Sequence, residues 1–186
     1  MSIISYSLLI IMYICYNVYV SFMKYDKEFL EYIDEIINNK EFLKRKKFAH
    51  HENESVYDHS MKVAYASYKF AKKHHLNVKN TCVGAILHDF YFKPWQDDHT
   101  KKKFKDLHGF VHARQALYNA RKYFPHLMNP MVEDIILRHM FPLNIKPPKY
   151  KESWVVTMMD KKCSLSVLKY PKEYPKYLGL KRRRKK

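Results

Sequence analysis

The residues best suited to chemistry in this chain are an adjacent histidine and aspartate, His88 and Asp89, which follow the apolar helical residues 85–87. Burying an imidazole beside a carboxylate is costly unless both groups are satisfied. A metal ion can satisfy both at once, because imidazole nitrogens and carboxylate oxygens are common metal ligands. A single His-Asp pair is a weak signal, so the prediction of a metal site depends on further ligands elsewhere.

Further ligand-type residues occur on separate predicted helices. His59 lies one turn before Val63, on the face that we expect to be buried. His108 and His112 are four residues apart and can share one face of the next helix. More than four ligands of these types suit a site for two metal ions. The residues predicted to bind metal are His59, His88, Asp89, His108, His112, His139 and Asp160.

In their types and order, these residues resemble the HD superfamily of metal-dependent phosphohydrolases, and most closely its small bacterial HD-domain proteins. The resemblance covers roughly residues 48–168. It implies an all-α fold, an HD-domain helical bundle of about six to seven helices, and one or two divalent metal ions such as Fe or Mn. The matching segments are Val56-Tyr57-Asp58-His59-Ser60, Leu87-His88-Asp89, Leu107-His108-Gly109-Phe110, Ile136-Leu137-Arg138-His139 and Thr157-Met158-Met159-Asp160-Lys161.

The sequence departs from better-known subgroups of the superfamily at two points. It lacks the Gly-Tyr-Pro motif of one phosphodiesterase subgroup, which argues against cyclic-di-GMP as the substrate. Where related proteins have a glycine four residues after the third histidine, this chain has His112. Either His108 or His112 can therefore be the ligand. Position favours His108, and His112 can instead contact substrate.

The resemblance also implies catalytic roles for nearby residues. Asp89 is expected to bridge metals or orient the attacking water, and Arg138 and Lys161 are expected to stabilise charge on phosphoryl oxygens. For each of these cations the alternative is an ordinary surface charge. The candidate substrate-binding residues are His51, Lys93, Arg138 and Lys161.

The predicted function is hydrolysis of a phosphomonoester or phosphodiester by a metal-activated water, with a phosphorylated small molecule such as a nucleotide as substrate. Two alternatives stay open. One is a di-iron oxygenase on the same scaffold, and the other is a non-enzymatic basic binding module whose metal is structural.

Apolar spacing predicts the helices that must position these residues. We expect one from about Lys24 to Asn39, a long one that Ser55 caps, and a last one from about Glu152 to Leu168. Gly84 leaves little bulk one turn before the His-Asp pair, so that a neighbouring helix can approach. The sequence contains only three glycines, which argues against phosphate-binding loops and tight hairpins.

The composition indicates one basic, folded domain. Apolar residues make up 47% of the 186 residues, and the formal net charge is +17. Such a charge suits anionic lipid, nucleic acid or a phosphorylated substrate, or simply serves solubility. No motif supports sequence-specific nucleic-acid binding.

Three isolated cysteines fit a reducing, cytoplasmic compartment. We predict the HD domain at residues 24–170 and a basic tail at 171–186.

The N-terminal residues 1–23 are predicted to form an extra hydrophobic helix. Residues 2–23 carry no charged side chain, and about twenty such residues can span a bilayer. One interpretation is a membrane anchor formed by residues 3–23. The others are a helix docked on the domain and an upstream extension with Met23 as the true start.

Overall fold

The fold is given by a computed structural model that describes residues 25–51, 54–91 and 108–165, without the side chains of residues 49–51 and 108–110. The predictions for residues 1–23 and 171–186 lie outside these ranges, and the domain boundaries stay predictions. Within the described residues, none of the helices combines the length and apolar character needed to cross a bilayer. Seven α-helices occur in these ranges: α1 (Lys27–Ile37), α2 (Lys40–Leu43), α3 (Val56–Lys73), α4 (Val78–Leu87), α5 (His108–Tyr123), α6 (Pro130–Arg138) and α7 (Lys151–Ser164).

The all-α prediction is confirmed, with one small addition. Strands β1 (Ala49–His51) and β2 (Glu54–Ser55) form a short antiparallel pair just before α3. Two short 3₁₀ helices, Lys44–Lys47 and Pro125–Leu127, connect the longer elements. None of these additions contributes a long strand, so the architecture of the described residues is a helical bundle.

Side-chain caps fix where several helices begin. The Ser55 hydroxyl accepts a hydrogen bond from the Asp58 backbone N–H, and the Asp58 carboxylate accepts one from the Ser55 N–H. Such reciprocal capping satisfies two backbone donors that the first turn of a helix leaves open. The side-chain oxygens of Asn77 and Asn129 accept backbone hydrogen bonds at the starts of α4 and α6, without the reciprocal bond. The predicted start of the long helix at Ser55 is therefore confirmed by its cap geometry.

The core lies between the central helix α4 and its neighbours. Every residue of α4 from Thr81 to Leu87 is buried, because α4 packs against α1, α3, α6 and α7. On the outside of the bundle, α1 buries one face through Phe29, Ile33 and Ile36. A helix that is apolar all round belongs in the middle of a bundle, and an amphipathic helix belongs at its surface.

Close approach of α4 and α6 depends on the missing side chain of Gly84. A Cβ atom added at Gly84 would lie 2.7–2.8 Å from the Cγ2, Cβ and Cδ1 atoms of the buried Ile135. The Ile135 Cβ atom is bonded directly to the backbone and cannot move away by side-chain rotation. The expectation that Gly84 admits a neighbouring helix is confirmed.

We predict that Gly84→Ala lowers the free energy of unfolding by about 1 kcal/mol. Overpacking costs about 1–3 kcal/mol, and replacing a helical glycine by alanine returns about 1 kcal/mol. Urea unfolding measures the difference. The double variant with Ile135→Val, which removes Cδ1, is expected to be more stable than the sum of the single effects. Stabilisation by Gly84→Ala alone would contradict the close contact.

Candidate metal centre

Five helices, α3 to α7, bring ligand-type side chains to one largely buried place, and each helix contributes from a defined position. His59 lies on the first turn of α3, directly after the exposed cap residue Asp58, and points inward. Asp160 lies on the third turn of α7. The two side chains are 101 residues apart in sequence, yet His59 Nε2 lies 3.1 Å from Asp160 Oδ1. Packing of α3 against α7 therefore creates one side of the cluster.

His88 and His139 occupy equivalent positions at two helix ends. Each is the first residue after its helix, α4 for His88 and α6 for His139. Each places its Nδ1 atom 2.7 Å from the backbone carbonyl oxygen three residues earlier, Ala85 in one case and Ile136 in the other. A carbonyl oxygen only accepts, so Nδ1 carries the proton and donates. Both rings are thus held with Nε2 facing the cluster, as in histidines that bind metal.

The ligand atoms form two groups that share His88. The first group is His59, His88 and Asp160, and the second is His88, Asp89 and His139, with the atoms of each group within 4.8 Å of one another. His88 Nε2 lies 3.4 Å from Asp89 Oδ2 and 3.7 Å from Asp160 Oδ1. The His-Asp pair from which the prediction started therefore lies where the two groups meet.

His112 from α5 adjoins the second group. Its Nε2 atom lies 2.9 Å from His139 Nε2 and 3.4 Å from Asp89 Oδ1, and His139 Nε2 lies 3.6 Å from the same carboxylate oxygen. The Tyr91 ring contacts the His112 ring edge-on, with centroids 5.8 Å apart. His112 therefore lies beside the second group, and its role as a ligand, one of the two options that the sequence left open, stays a prediction.

Burial and mutual charge shift the pKa values in this cluster in opposite directions. Burial would raise the pKa of Asp89, but the neighbouring His88, His112 and His139 hold it well below its usual range. Burial would lower the pKa of His88, but Asp89 and Asp160 raise it to about 9. Burial, together with His88 and His112, lowers the pKa of His139 to about 3. His139 is therefore neutral at pH 7, with its Nε2 lone pair directed into the cluster.

These residues fit a divalent metal ion. His88 Nε2 is buried and makes no hydrogen bond to any described residue, which is costly unless another partner binds it. Ligand atoms about 2.1 Å from one ion lie about 3 Å or more apart, and the distances between the Nε2 and carboxylate atoms are of this size. Mixed imidazole and carboxylate ligands suit Fe, Mn or Zn. The two groups can therefore hold metal, and the role of each side chain as a ligand stays a prediction.

The two cations assigned to catalysis lie in different surroundings. Lys161 is half-buried and donates from Nζ to the His139 carbonyl oxygen at 3.2 Å, and its burial lowers its pKa. The Arg138 guanidinium lies 3.7 Å from Asp134 Oδ1, one turn back along α6. Lys161 thus contacts the backbone of a cluster residue, His139, whereas Arg138 contacts a carboxylate outside the cluster.

Three predicted site residues cannot be placed by their side chains. His108 is the first residue of α5 and His51 the last residue of β1, but their side chains are not described. Lys93 lies outside the described residues. Their proposed roles stay predictions.

Two supporting residues were missed by the sequence interpretation. Asp134 Oδ2 accepts hydrogen bonds from the Lys149 N–H at 2.9 Å and from the Ser153 hydroxyl at 2.7 Å. Asp134 thereby connects α6 to the end of the loop that precedes α7 and to the first turn of α7. Asn119, buried on α5, donates to the Phe90 carbonyl at 2.7 Å and so fixes the chain directly after Asp89. A polar residue within an apolar helical face is the one sequence signal that points to Asn119.

Comparison with known proteins agrees with this geometry. A family model described as HD domain matches residues 56–168, which is more than half of the chain. The match begins at the first residue of α3 and includes every helix that contributes to the cluster. No curated protein and no solved structure matches the chain.

Proposed function

The chain belongs to the HD domain family, whose superfamily consists of metal-dependent hydrolases, and from this premise we propose that it is a phosphohydrolase. The proposed reaction is hydrolysis of a phosphomonoester or phosphodiester in a small molecule, with a nucleotide-like substrate preferred. The observation that supports the proposal is the buried cluster of four histidines and two aspartates, in which the ligand atoms form two adjoining groups.

A divalent ion bound by these residues supplies two effects: it lowers the pKa of a bound water towards neutrality, and it neutralises phosphate oxygens. We assign His59, His88 and Asp160 to one ion and Asp89, His112 and His139 to a second. This division follows the distances between the ligand atoms. Six protein ligands on a single ion would leave no coordination position for water or substrate. Two ions that share the six ligands would each keep open positions.

Asp89 has the central place in the proposed mechanism. Its Oδ1 atom faces His112 and His139, and its Oδ2 atom faces His88. The carboxylate therefore lies between the two groups, where it would help to hold metal and would accept a hydrogen bond from the attacking water. Its low pKa keeps it ionised at pH 7. The Nδ1 hydrogen bonds of His88 and His139 prevent their rings from rotating while the reaction proceeds.

Lys161 is the cation that we assign to the developing charge on the phosphoryl oxygens. It directly follows Asp160 and is held by the His139 carbonyl. A fixed cation in a partly buried position stabilises such charge more strongly than a solvated one. Arg138 is expected to contribute less, because its guanidinium is paired with Asp134. The positive charge of the whole chain would also attract an anionic substrate.

The test is a measurement of bound metal together with a substrate screen. Full-length protein is purified without added metal, its metal content is determined, and it is then assayed with Mn²⁺ or Fe²⁺ against phosphomonoesters, phosphodiesters and nucleotides. We predict near-stoichiometric metal and metal-dependent release of phosphate or nucleoside monophosphate. His126→Ala serves as the control, because His126 is exposed and pairs with Glu35.

Three other outcomes would contradict the proposal. Oxygen consumption without phosphate release would indicate the di-iron oxygenase. Bound metal without turnover, combined with salt-sensitive binding of polyanions, would indicate a basic binding module. A protein that is free of metal and cannot be loaded with it would exclude a metal-dependent activity.

A further inference from the structure

An exposed apolar patch lies on the loop between α6 and α7 and on the adjoining face of α7. Its members are Phe141, Leu143, Ile145, Trp154 and Met158. Leu143 is 57% exposed and Ile145 is 87% exposed, and Trp154 and Met158 are 39% and 50% exposed. Single exposed apolar residues are ordinary, but several together mark a surface that binds a partner.

The two parts of this patch are joined by ring packing. The Phe141 and Trp154 rings lie with centroids 5.3 Å apart at an angle of 76°. Met158 follows Trp154 by one helical turn and therefore shares its face of α7. The loop is fastened at its other end, where Asp134 accepts the Lys149 N–H. The part of the patch that lies on the loop is therefore held at both ends of the loop by specific contacts.

The exposed charged residues in the stretch that carries the patch are all lysines. Lys146, Lys149 and Lys151, which we call the lysine rim, are exposed. From residue 140 to residue 159, a stretch described in full, the one acidic residue is Glu152. Glu152 is buried and accepts a hydrogen bond from the Asn77 N–H. Within this stretch, the exposed charges beside the apolar side chains are thus positive.

We propose that this patch docks the protein on an anionic lipid bilayer. Leu143 and Ile145 would enter the acyl-chain boundary, Trp154 would lie at the level of the headgroups, and the lysine rim would contact anionic lipids. Aliphatic side chains flanked by lysines, with a tryptophan beside them, combine the two forces that hold peripheral proteins on membranes. The inference does not depend on the proposed catalytic function.

Charge and side-chain type favour a bilayer over other partners. Two copies of this surface would face each other with two lysine rims, on chains that each carry a net charge of +17, and would repel. Nucleic acid would suit the lysines, but it offers no apolar phase for Leu143 and Ile145. An anionic bilayer satisfies both features of the patch.

The test follows Trp154 fluorescence in the full chain. The protein contains two tryptophans, so Trp95→Phe leaves Trp154 as the one reporter. Vesicles of phosphatidylcholine and phosphatidylserine are prepared with and without lipids brominated on the acyl chain, which quench a tryptophan at the membrane. We expect brominated lipid to quench Trp154. In the same background, Leu143→Ser/Ile145→Ser is expected to lose the quenching and to weaken partitioning at the patch about 30-fold.

Charge and position are tested separately. Lys146→Gln is expected to weaken vesicle binding about fivefold, and only on vesicles that contain phosphatidylserine. Tyr118→Ser is the matched control, since Tyr118 is 67% exposed but lies on α5, outside the patch. Thermal unfolding of each variant establishes that the fold is kept.

Every other result overturns the proposal. Sedimentation with vesicles while Trp154 stays unquenched would assign membrane binding to another part of the chain, such as residues 1–23. Absence of vesicle binding would exclude docking altogether. If Leu143→Ser/Ile145→Ser converts a dimer into a monomer without a change in vesicle binding, the patch is an interface between two copies.

Discussion

Asp89→Asn is expected to remove nearly all bound metal and to lower hydrolytic turnover by at least about 1,000-fold. The side chain keeps its shape, but the amide cannot supply a negatively charged ligand. Asp89 contacts His88, His112 and His139 within 3.4–3.6 Å, so one substitution affects both groups of ligand atoms. Elemental analysis of purified protein and steady-state assays measure the two effects.

A second adjacent pair of aspartate and histidine, Asp58 and His59, provides the control. Asp58 directly precedes His59, but its carboxylate is exposed and binds Ser55 at the start of α3. We expect Asp58→Asn to keep both the metal and the activity, because an amide oxygen can still accept the cap hydrogen bond. Equal loss of metal in the two variants would mean that Asp89 acts through stability of the fold. Full metal content in Asp89→Asn would disprove its role as a ligand.

His112→Ala is expected to lower the metal content from about two ions per chain to about one and to reduce turnover at least about 100-fold. The Nε2 atom of His112 lies within 2.9 Å of His139 and 3.4 Å of Asp89, on the side of the cluster away from His59. The first group of ligand atoms should therefore keep its ion. Metal analysis of the variant beside the wild type tests this directly.

His108→Ala distinguishes the two candidates on α5. If His112 is the ligand, His108→Ala keeps two ions, and any loss of activity appears as a raised KM for substrate. The opposite pattern, with metal lost in His108→Ala and kept in His112→Ala, would restore the assignment that position in the sequence favoured. A wild-type protein with a single ion that neither variant affects would exclude a second metal site.

Much of the fold could be predicted from the sequence because its signals are local. Ser55, Asn77 and Asn129 cap helices that begin where their side-chain chemistry indicates. The last helix begins at Lys151, next to the expected Glu152, and is described to Ser164, whereas its expected end near Leu168 lies outside the described residues. The short strand pair before α3 was not expected, because two or three residues are too few to produce an alternating pattern.

The gathering of ligand-type residues at one place was also predictable, but the surroundings of the cations were not. His59, His88, His139 and Asp160 come from separate helices, and an ordered set of rare residue types is visible without a structure. The direction of a long flexible side chain is different. Arg138 directly precedes His139 in sequence, yet it turns back along α6 to Asp134, whereas Lys161 reaches across to α6. Spacing alone does not distinguish these two directions.

The two described cysteines are free thiols, Cys82 buried and Cys163 half-buried. Burial raises the pKa of the Cys82 thiol to about 12, and it also raises that of Cys163. Thiols of this kind are poor nucleophiles at neutral pH. Cys15 lies outside the described residues.

The positions of His88 and His139 at the ends of α4 and α6 also have an electrostatic consequence. The aligned peptide dipoles of a helix place about half a negative charge at its carboxyl end. Two such ends meet at the cluster, in addition to its carboxylates. The backbone itself therefore attracts cations to the centre of a chain with a net charge of +17. Because this attraction needs no side chain, it persists when one of the clustered residues is substituted.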